Sequence, residues 1–595
     1  MTTNGFLQIL FFLVVLLTLV KPMGWYMARV YEGKSCGLDK LLKPFENFIY
    51  RLCGINPTVE MNWKVYLSTM LLINFIVLLV IYALLRSQIL LPFNPQHFSA
   101  LTPDLAFNIA AGFTGSADWQ VYSGEGVLSY FNQMTTLTVV KFIAAGSGMA
   151  LLIAFIRGLA GHETSGLGNF WVDLVRSILY ILLPLSFVLA IFLSSQGVIQ
   201  NLRPYQKVDL VQPLKFQQTV IDSQGQPIKN KLGQIQTKTI TLTQQTIPMG
   251  PVASTLAIEQ ISVNGGGFFN VNNAHPFENP NPITNFLELL TMILLPAAFC
   301  YTFGIMIKDK RQGWAVLIAM LLIFVPSVFI AVNLEQTGNS ALTHNVDILP
   351  GGNMEGKETR FGIANSAMWM ATASATASGT NNAMTDSFTP LGGLISLWLI
   401  HTGEVIFGGT GSGLYGMLML VILTVFIAGL MVGRTPEYLG KKINGFDMKM
   451  AVFSILIMPV FVLFLTALAV VVPSAVAAIG NPGAHGFTEI LYAFTSMVST
   501  NGGAMFGLNA NTPFYNIIGG CAILFGRYWT AIPALAVAGS FARKRMIPVS
   551  SGTLPTHTLL FIFMLVSVIT IFGALTFFPA LALGPIAEYL ILSQQ

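Results

Sequence analysis

Long apolar segments alternate with short polar loops from one end of the chain to the other. A helix needs about 20 consecutive apolar residues to cross the hydrocarbon of a bilayer. The pattern predicts ten spanning segments, at 5–27, 63–88, 126–156, 172–196, 283–307, 313–334, 390–433, 449–473, 514–541 and 557–587. The predicted fold is therefore an all-α polytopic membrane protein with about ten transmembrane helices.

The composition agrees with this prediction. The mean hydropathy is +0.68, and only 9% of the residues are charged, against about 25% in a soluble domain. The first apolar run, Phe6–Val20, lacks the basic start and small-residue cleavage site of a signal peptide, and is predicted to stay as a membrane helix. The four cysteines are scattered without a C-x-x-C pair, so neither a disulfide framework nor a metal site is expected.

The basic residues predict the orientation in the membrane. More than half of the 30 Lys and Arg residues lie in the loops after the first, third, fifth, seventh and ninth segments. Cytoplasmic loops are enriched in these residues, so both termini are expected outside. The basic residues of the 197–252 loop do not contradict this, because long loops translocate largely regardless of charge. Its Gln- and Thr-rich composition favours an external strand-rich patch. No basic stripe accompanies the net charge of +5, which argues against a nucleic-acid partner.

The outer loops 89–125, 197–282, 335–389 and 474–513 share one pattern. Each ends in a short helix-compatible stretch and then a turn rich in Gly, Asn, Ser and Thr. The turns are Thr114–Gln120, Val263–Phe268, Ala377–Asn382 and Thr500–Ala504. The pattern predicts four pseudo-repeats of helix, re-entrant pore loop and helix around a central pore. They occupy 63–156, 172–307, 313–433 and 449–541, between an extra N-terminal helix at 1–30 and a final helix at 557–595.

Such loops have the chemistry of a cation filter. A dehydrated cation needs oxygen ligands, and potassium filters are rings of four loops that supply backbone carbonyls. Glycine allows the backbone to bend where side chains cannot fit. Ordinary external turns are the alternative interpretation, but four turns in equivalent places disfavour it. The predicted ion-binding residues are Ser116, Ala117, Asp118, Gln120, Val263, Asn264, Gly265, Gly266, Ser378, Gly379, Thr380, Thr500, Asn501, Gly502 and Gly503.

The seventh segment, 390–433, is too long for one straight span. Gly403–Gly416 contains six glycines in fourteen residues, and each would cost a continuous helix about 1 kcal/mol relative to Ala. We expect a helix broken inside the membrane, with an irregular loop lining the pore. A surface hairpin is the alternative, but it would put the basic cluster at 434–449 outside. The loop residues predicted to take part in gating are Glu404, Gly408, Gly409 and Gly411.

Arg527 lies in the middle of the ninth segment. A charge there costs about 2.5–3.5 kcal/mol on the insertion scale. It is either a fixed positive charge at the pore or part of a structural ion pair, for which Glu404 is a candidate partner. His401, near Glu404, is expected to be a packed helix residue rather than a ligand.

The motifs resemble those of the A subunit of the Kdp potassium-transporting ATPase, within the superfamily of Trk and Ktr potassium transporters. The matching stretches are Trp119–Glu125, Asn264–Asn270, His275–Pro280, Asn353–Glu358, Gly403–Gly409, Gly433–Lys442, Ser551–His557 and Pro579–Pro585. They cover nearly the whole chain in order. The first loop departs from the family's usual Thr-Asn-Thr-Asn-Trp-Gln, because Gly115-Ser-Ala-Asp-Trp-Gln120 stands there. Asp118 is expected to add a negative charge near the pore mouth.

The resemblance implies a potassium-binding and -translocating subunit of a high-affinity uptake pump in the bacterial plasma (inner) membrane. It also implies a loop beneath the filter that obstructs direct conduction, and it favours the pore for Arg527. The implied partners are the P-type ATPase catalytic subunit (KdpB), KdpC and the small KdpF subunit, in a phospholipid membrane. No cofactor is expected beyond the transported K⁺.

The chain lacks a nucleotide site of its own. It has no Asp-Lys-Thr-Gly phosphorylation motif, and Gly33-Lys34-Ser35 fails as a P-loop because Ala28 stands where the first glycine belongs. We therefore expect the ATPase partner to supply the energy. A stand-alone Trk/Ktr-like potassium channel or symporter remains the alternative function. A membrane enzyme is a third hypothesis, which no catalytic constellation supports.

Overall fold

Ten helices in the described part of the chain are long and apolar enough to cross a membrane. The computed structural model describes residues 1–219, 237–338, 352–548 and 554–594. The candidate spans are Thr3–Tyr31, Trp63–Arg86, Asn132–Ala160, Phe170–Ser195, Pro282–Met306, Lys310–Thr337, Ser412–Val432, Gly445–Val471, Pro513–Ala542 and Leu559–Ser593. The predicted all-α membrane fold is confirmed. Parts of the predicted outer loops 197–282 and 335–389, the first residues of the Ser551–His557 motif and residue 595 lie outside the described residues.

The seventh crossing is divided into two helices, as predicted. Pro390–His401 is a short apolar helix, and Ser412–Val432 is the longer one that follows it. The ten residues between them, 402–411, are not helical. The glycine-rich segment therefore forms a break inside the seventh crossing.

Four short pore helices stand between pairs of spanning helices. They are Pro103–Thr114, Val252–Ser262, Gly362–Ala375 and Ala484–Val498. Most of their side chains are buried, because each pore helix is surrounded by protein rather than by lipid. Each ends at a predicted turn or just before it, so the chain forms four helix–pore loop–helix units around a central pore.

The helix that follows each of the last three pore loops begins with the same two-residue signal. Asn281, Thr389 and Thr512 are the N-caps, and each is followed by proline. The side-chain oxygen of the cap accepts a hydrogen bond from a backbone N–H of the first turn. The nitrogen–oxygen distance is 3.0 Å for Asn281 and 3.1 Å for Thr389. Proline at the first helical position needs no partner for its missing N–H. These local signals end the polar loop at an equivalent point in three units.

The N-terminal helix packs closely against the helix Pro282–Met306. A Cβ on Gly24 would lie 2.6 Å from the carbonyl oxygen of Ala298, and Thr302 donates to the carbonyl oxygen of Gly24 at 3.0 Å. A small residue therefore lets the two backbones approach, as is usual between membrane helices. The start of the N-terminal helix also bonds to the helix Lys310–Thr337, through Met1 to Asn333 at 3.0 Å, so the extra N-terminal helix is held by two units.

Two further features lie outside the spanning helices. The strand Gln206–Thr219 pairs antiparallel with Thr237–Ile247, which agrees with the predicted strand-rich patch. The helix Asp39–Leu52 follows the first span. It exposes Phe45 and Phe48 while Glu46 pairs with Arg176 at 3.0 Å. A helix that exposes one apolar face and is joined to the rest of the protein through charged side chains on another face is typical of the membrane interface. The apolar pattern alone did not predict this helix.

The remaining elements are short. They are the helices Gly124–Val127 and Pro473–Val476, the 3₁₀ turns Gln88–Leu90, Asn272–Ala274 and Thr385–Ser387, and the two-residue strands Glu437–Tyr438 and Lys441–Lys442. Within the spans already named, π-helical turns lie at Asn132–Leu137, Ser177–Leu182 and Ala582–Ile586.

Candidate ion-binding site

The four pore loops share a pair of left-handed residues. After each pore helix one residue is left-handed, and a second left-handed residue follows two positions later. The first set is Ser116, Val263, Ala377 and Thr500, with φ of 64°, 57°, 54° and 57°; the second is Asp118, Gly265, Gly379 and Gly502, with φ of 48°, 82°, 63° and 93°. Non-glycine residues rarely have positive φ. Four repetitions of this uncommon pattern therefore show that the loops are structurally equivalent, although their sequences are not.

The loops meet at one place. A Cβ built on Gly265 would overlap the carbonyl oxygen of Ser378, which belongs to the third loop. A Cβ on Gly379 would likewise overlap the carbonyl oxygen of Asn501, and one on Gly502 would overlap that of Ala117. Backbone carbonyls from the first, third and fourth loops thus converge on glycines of the second, third and fourth. The loops therefore pack backbone against backbone at one place, which a ring of carbonyl ligands requires.

Polar side chains next to the loops hold the backbone in place. Asn264 accepts from the Ser116 hydroxyl at 2.7 Å and donates to the carbonyl oxygen of Lys141 at 3.1 Å. Asn501 donates to the carbonyl oxygen of Ala373 at 3.1 Å. Because these amides are engaged with protein atoms, the carbonyls that converge between the loops remain the available ligands.

Gln120, Thr380, Gly266 and Gly503 surround this centre. Gln120 donates to the carbonyl oxygen of Gly267 at 2.8 Å, and Trp369 donates to that of Thr380 at 2.8 Å. The side chain of Gln120 therefore connects the first loop to the second. The fifteen residues predicted as the ion-binding set all lie in the four loops that meet here, and their binding of an ion stays a prediction.

Asp118 does not lie at the pore mouth, where its charge was expected. Its side chain is fully buried, and its carboxylate is 3.6 Å from the ammonium of Lys141. Asp tolerates the left-handed backbone of this position better than most residues, and its carboxylate faces the Lys141 ammonium inside the protein rather than the solvent. The carboxylate of Asp118 is thus buried next to the Lys141 ammonium, and not exposed as expected.

Two charged residues beside the filter were not predicted. Lys141 lies in the helix Asn132–Ala160, and Glu259 lies in the second pore helix; their side chains are 2.8 Å apart and almost completely buried. A lysine inside an apolar spanning segment is the same signal that drew attention to Arg527. The sequence alone could therefore have indicated Lys141, because it is a charged residue inside the predicted spanning segment 126–156.

The break at 402–411 lies directly against the pore helices. The hydroxyl of Thr410 donates to the carbonyl oxygen of Ser262, the last residue of the second pore helix, at 3.0 Å. The backbone N–H of Gly408 donates to the carbonyl oxygen of Ala375, the last residue of the third, at 2.9 Å. These carbonyls belong to the negative ends of the helix dipoles. The loop therefore lies beneath the filter, as the resemblance implied, and it also contains the predicted residues Gly409 and Gly411.

Arg527 and Glu404 line a cavity of about 70 Å³ next to this loop, together with Thr500 of the fourth pore loop. Arg527 donates to the carbonyl oxygen of Ala144 at 3.1 Å. One carboxylate oxygen of Glu404 is buried and has no hydrogen-bond partner among the described residues. Among the described residues Arg527 and Glu404 form no direct ion pair, so the structure does not show Glu404 as the direct partner of Arg527. His401 stacks on Phe577 with the ring centroids 3.8 Å apart, as expected of a packed residue.

An ion-pair network ties the outer ends of three segments together. His485, at the start of the fourth pore helix, lies 3.2 Å from Asp386 and 2.8 Å from Glu588 of the last helix. Burial lowers the pKa of His485, but the two carboxylates outweigh it and raise the pKa to about 10. The imidazolium is therefore the form that the folded state stabilises.

This shift predicts a pH-dependent stability. The folded-state pKa of His485 is raised, so its contribution is fully present below the ordinary value of about 6.5 and is lost as the pH rises towards about 10. We expect His485→Gln to lower the melting temperature of the purified protein most below about pH 6.5, with the difference from wild type shrinking steadily up to about pH 10. Thermal unfolding of both proteins across this range measures it. A difference that does not change with pH would contradict the prediction.

Comparison with known proteins identifies the family. The family model described as "Potassium-transporting ATPase A subunit" matches residues 10–590. The chain belongs to this family. A protein of Methylococcus capsulatus is 54% identical over 592 residues, which cover 100% of this chain and 99% of the relative. One of Herpetosiphon aurantiacus is 53% identical over 599 residues, with 100% of both chains covered. Both relatives are called potassium-transporting ATPase potassium-binding subunits.

Among solved structures, the potassium transporter TrkH of Vibrio parahaemolyticus matches with a TM-score of 0.48 and 13% sequence identity, over 87% of this chain and 96% of that one. This score is too low to decide anything about function. Membership of the A subunit family therefore rests on the sequence match, which extends across all four pore loops.

Proposed function

We propose that this chain is the potassium-binding and -translocating subunit of an ATP-driven uptake pump. K⁺ enters from outside, binds in the four-loop filter and passes to a P-type ATPase subunit. The observation that carries the proposal is the convergence of backbone carbonyls from Ala117, Ser378 and Asn501 on the glycines of neighbouring loops. Carbonyl rings of this kind replace the hydration shell of K⁺.

The four pore helices support the same proposal through their dipoles. Each ends at its filter loop, so its C-terminal carbonyls carry partial negative charge towards the place where the loops meet. In a site shielded from water this charge is poorly screened. The filter thus offers a cation both direct oxygen ligands and a favourable potential, while neutral backbone groups remain the ligands.

The energy source follows from the same assignment. We infer that this chain does not hydrolyse ATP and that a catalytic P-type ATPase subunit does so, in a complex that also holds KdpC and the small KdpF subunit. The distribution of basic residues supports a location in the bacterial plasma (inner) membrane with both termini of this chain outside. No cofactor takes part in this proposal.

A stand-alone channel or symporter is the competing function, and energetics separates the two. A membrane potential of 100 mV supplies about 2.3 kcal/mol per charge, and each tenfold gradient costs about 1.4 kcal/mol. Passive uptake therefore stalls near roughly 40-fold accumulation under these conditions. Growth at micromolar external K⁺ demands far more than this, and needs a primary energy source.

The experiment is complementation of a bacterial strain that lacks its own potassium uptake systems. We expect this chain alone to fail to support growth at micromolar K⁺, and co-expression with its ATPase partner to restore it. The control is the same complex with the phosphorylated aspartate of the ATPase changed to Asn, which should behave like the chain alone. ATP-independent accumulation by the isolated chain would instead establish the channel or symporter.

A further inference from the structure

A group of buried charges lies immediately behind the first two filter loops. The ammonium of Lys141 is 2.8 Å from a carboxylate oxygen of Glu259 and 3.6 Å from one of Asp118. It also donates to the carbonyl oxygen of Gly265 at 3.1 Å. All three charged side chains are at most 1% exposed. Lys141 therefore contacts the backbone of the filter itself.

Asp118 explains why a lysine can connect two loops here. It occupies the second left-handed position of the first loop, where the other three loops have Gly265, Gly379 and Gly502. Only the first loop thus carries a side chain at this point, and that side chain is a carboxylate directed towards Lys141. The first loop interacts with Lys141 through the ion pair of the Asp118 carboxylate, which accepts no hydrogen bond from the described residues. The second loop accepts a hydrogen bond from Lys141 through its backbone carbonyl.

We propose that Lys141 is a positioning residue that holds the first two filter loops in register and thereby sets how well the filter discriminates between monovalent cations. The inference rests on the proposed function of the filter. Its physical basis is that discrimination depends on the number and placement of the coordinating carbonyls, and Lys141 restrains both loops with one buried group. A charged hydrogen bond in a buried site is among the stronger restraints that a protein can apply to a carbonyl.

Glu259 has a separable effect. The carboxylate of Glu259 adds one negative charge to this group when it is ionised, and buried charge acts on a nearby cation with little screening. This charge attracts all monovalent cations alike. Glu259→Gln removes it but still offers an acceptor oxygen to Lys141. A change of charge therefore alters the affinity for every cation by a similar factor. A change in the position of the loops instead alters the ratio of the affinities for different cations.

The test is the cation dependence of ATP hydrolysis by the purified complex with its ATPase partner. Half-saturating concentrations of K⁺, Rb⁺ and Na⁺ are measured for each variant. We expect Lys141→Gln to reduce the ratio of half-saturating Na⁺ to half-saturating K⁺ by about tenfold, the change expected when one charged hydrogen bond is lost. Glu259→Gln should raise all three concentrations by a similar factor and leave the ratio unchanged.

Lys357→Gln is the matched control. Lys357 is also completely buried, at 2.8 Å from Glu335, and its described contacts include Phe388 and the carbonyl oxygen of Glu355 but no filter-loop residue. Removing it should lower the melting temperature without changing the Na⁺ to K⁺ ratio. If Lys141→Gln fails to fold, Lys141→Gln with Glu259→Gln removes one uncompensated carboxylate and should show the same loss of discrimination.

Three results would overturn the inference. The first is a folded Lys141→Gln complex, or the double variant, with the wild-type ratio. The second is an equal loss of discrimination in Lys357→Gln, which would show a general effect of removing a buried lysine. The third is a wild-type complex that K⁺ does not stimulate; in that case the proposed function fails first, and the inference fails with it.

Discussion

Replacing Gly502 with alanine is expected to weaken K⁺ binding by about tenfold to a hundredfold, as judged by K⁺-stimulated ATP hydrolysis of the assembled complex. Two costs combine at this position. Gly502 has φ of +93°, a conformation that costs an L-residue about 1–2 kcal/mol. In addition, the new Cβ would overlap the carbonyl oxygen of Ala117 in the first loop. Relief of that overlap must move a carbonyl away from the converging set, so affinity falls and discrimination against Na⁺ loosens.

Gly37→Ala separates these two costs. Gly37 also has φ of +93°, but nothing lies within 4 Å of the position where its Cβ would be. It lies in the loop after the first span, far along the chain from the filter. The backbone cost is therefore matched, and the overlap with a carbonyl is absent. We expect a small loss of stability and wild-type K⁺ affinity.

The corresponding changes at Gly265 and Gly379 should act in the same way, because each would overlap a carbonyl oxygen of another loop. If all three variants fold and keep wild-type affinity and discrimination, the loops do not form the filter. A loss of affinity in Gly37→Ala as large as that in Gly502→Ala would point to general destabilisation instead.

The apolar pattern was sufficient to predict the membrane architecture. A spanning helix needs a long apolar run, and the chain has few charges to interrupt one. The break in the seventh crossing was predictable for a related reason, since six glycines within Gly403–Gly416 oppose a continuous helix. In contrast, the helix Asp39–Leu52 is too polar to stand out in hydropathy and was missed.

The filter was predictable in part. Glycines such as Gly265 and Gly502 mark places where a Cβ cannot fit, and their equivalent positions between spans indicated a common structure. The surroundings of Asp118 were not predictable, because its partner Lys141 lies 23 positions away along the chain on another helix. Which buried charges meet depends on helix packing, and no local pattern reports it. The predicted location of Asp118 at the pore mouth was therefore wrong, although Asp118 does belong to the first pore loop as predicted.

Arg527→Ala is expected to uncouple ATP hydrolysis from K⁺ transport. Arg527 lines the cavity that Thr500 of the fourth filter loop also lines, so its charge lies beside the space below the filter. At about 6 Å and an effective dielectric constant near 20, a positive charge repels K⁺ by about 3 kcal/mol. That repulsion hinders free passage out of the filter. Without it, K⁺ should leak, and the number of ions transported per ATP should fall.

The lysine variant and the protein yield give this prediction its control. Arg527→Lys keeps the charge but not the planar guanidinium that bonds to Ala144, so its coupling should stay closer to wild type than that of the alanine variant. If Arg527 only fastens two helices, both variants should give less folded protein, and the folded fraction should remain fully coupled. Purified yield is therefore measured with the ratio of transported K⁺ to hydrolysed ATP in proteoliposomes. A normal ratio in a poorly folding alanine variant would reject the role of Arg527 in the pore, because repulsion by its charge acts on the ion and not on the stability of the fold.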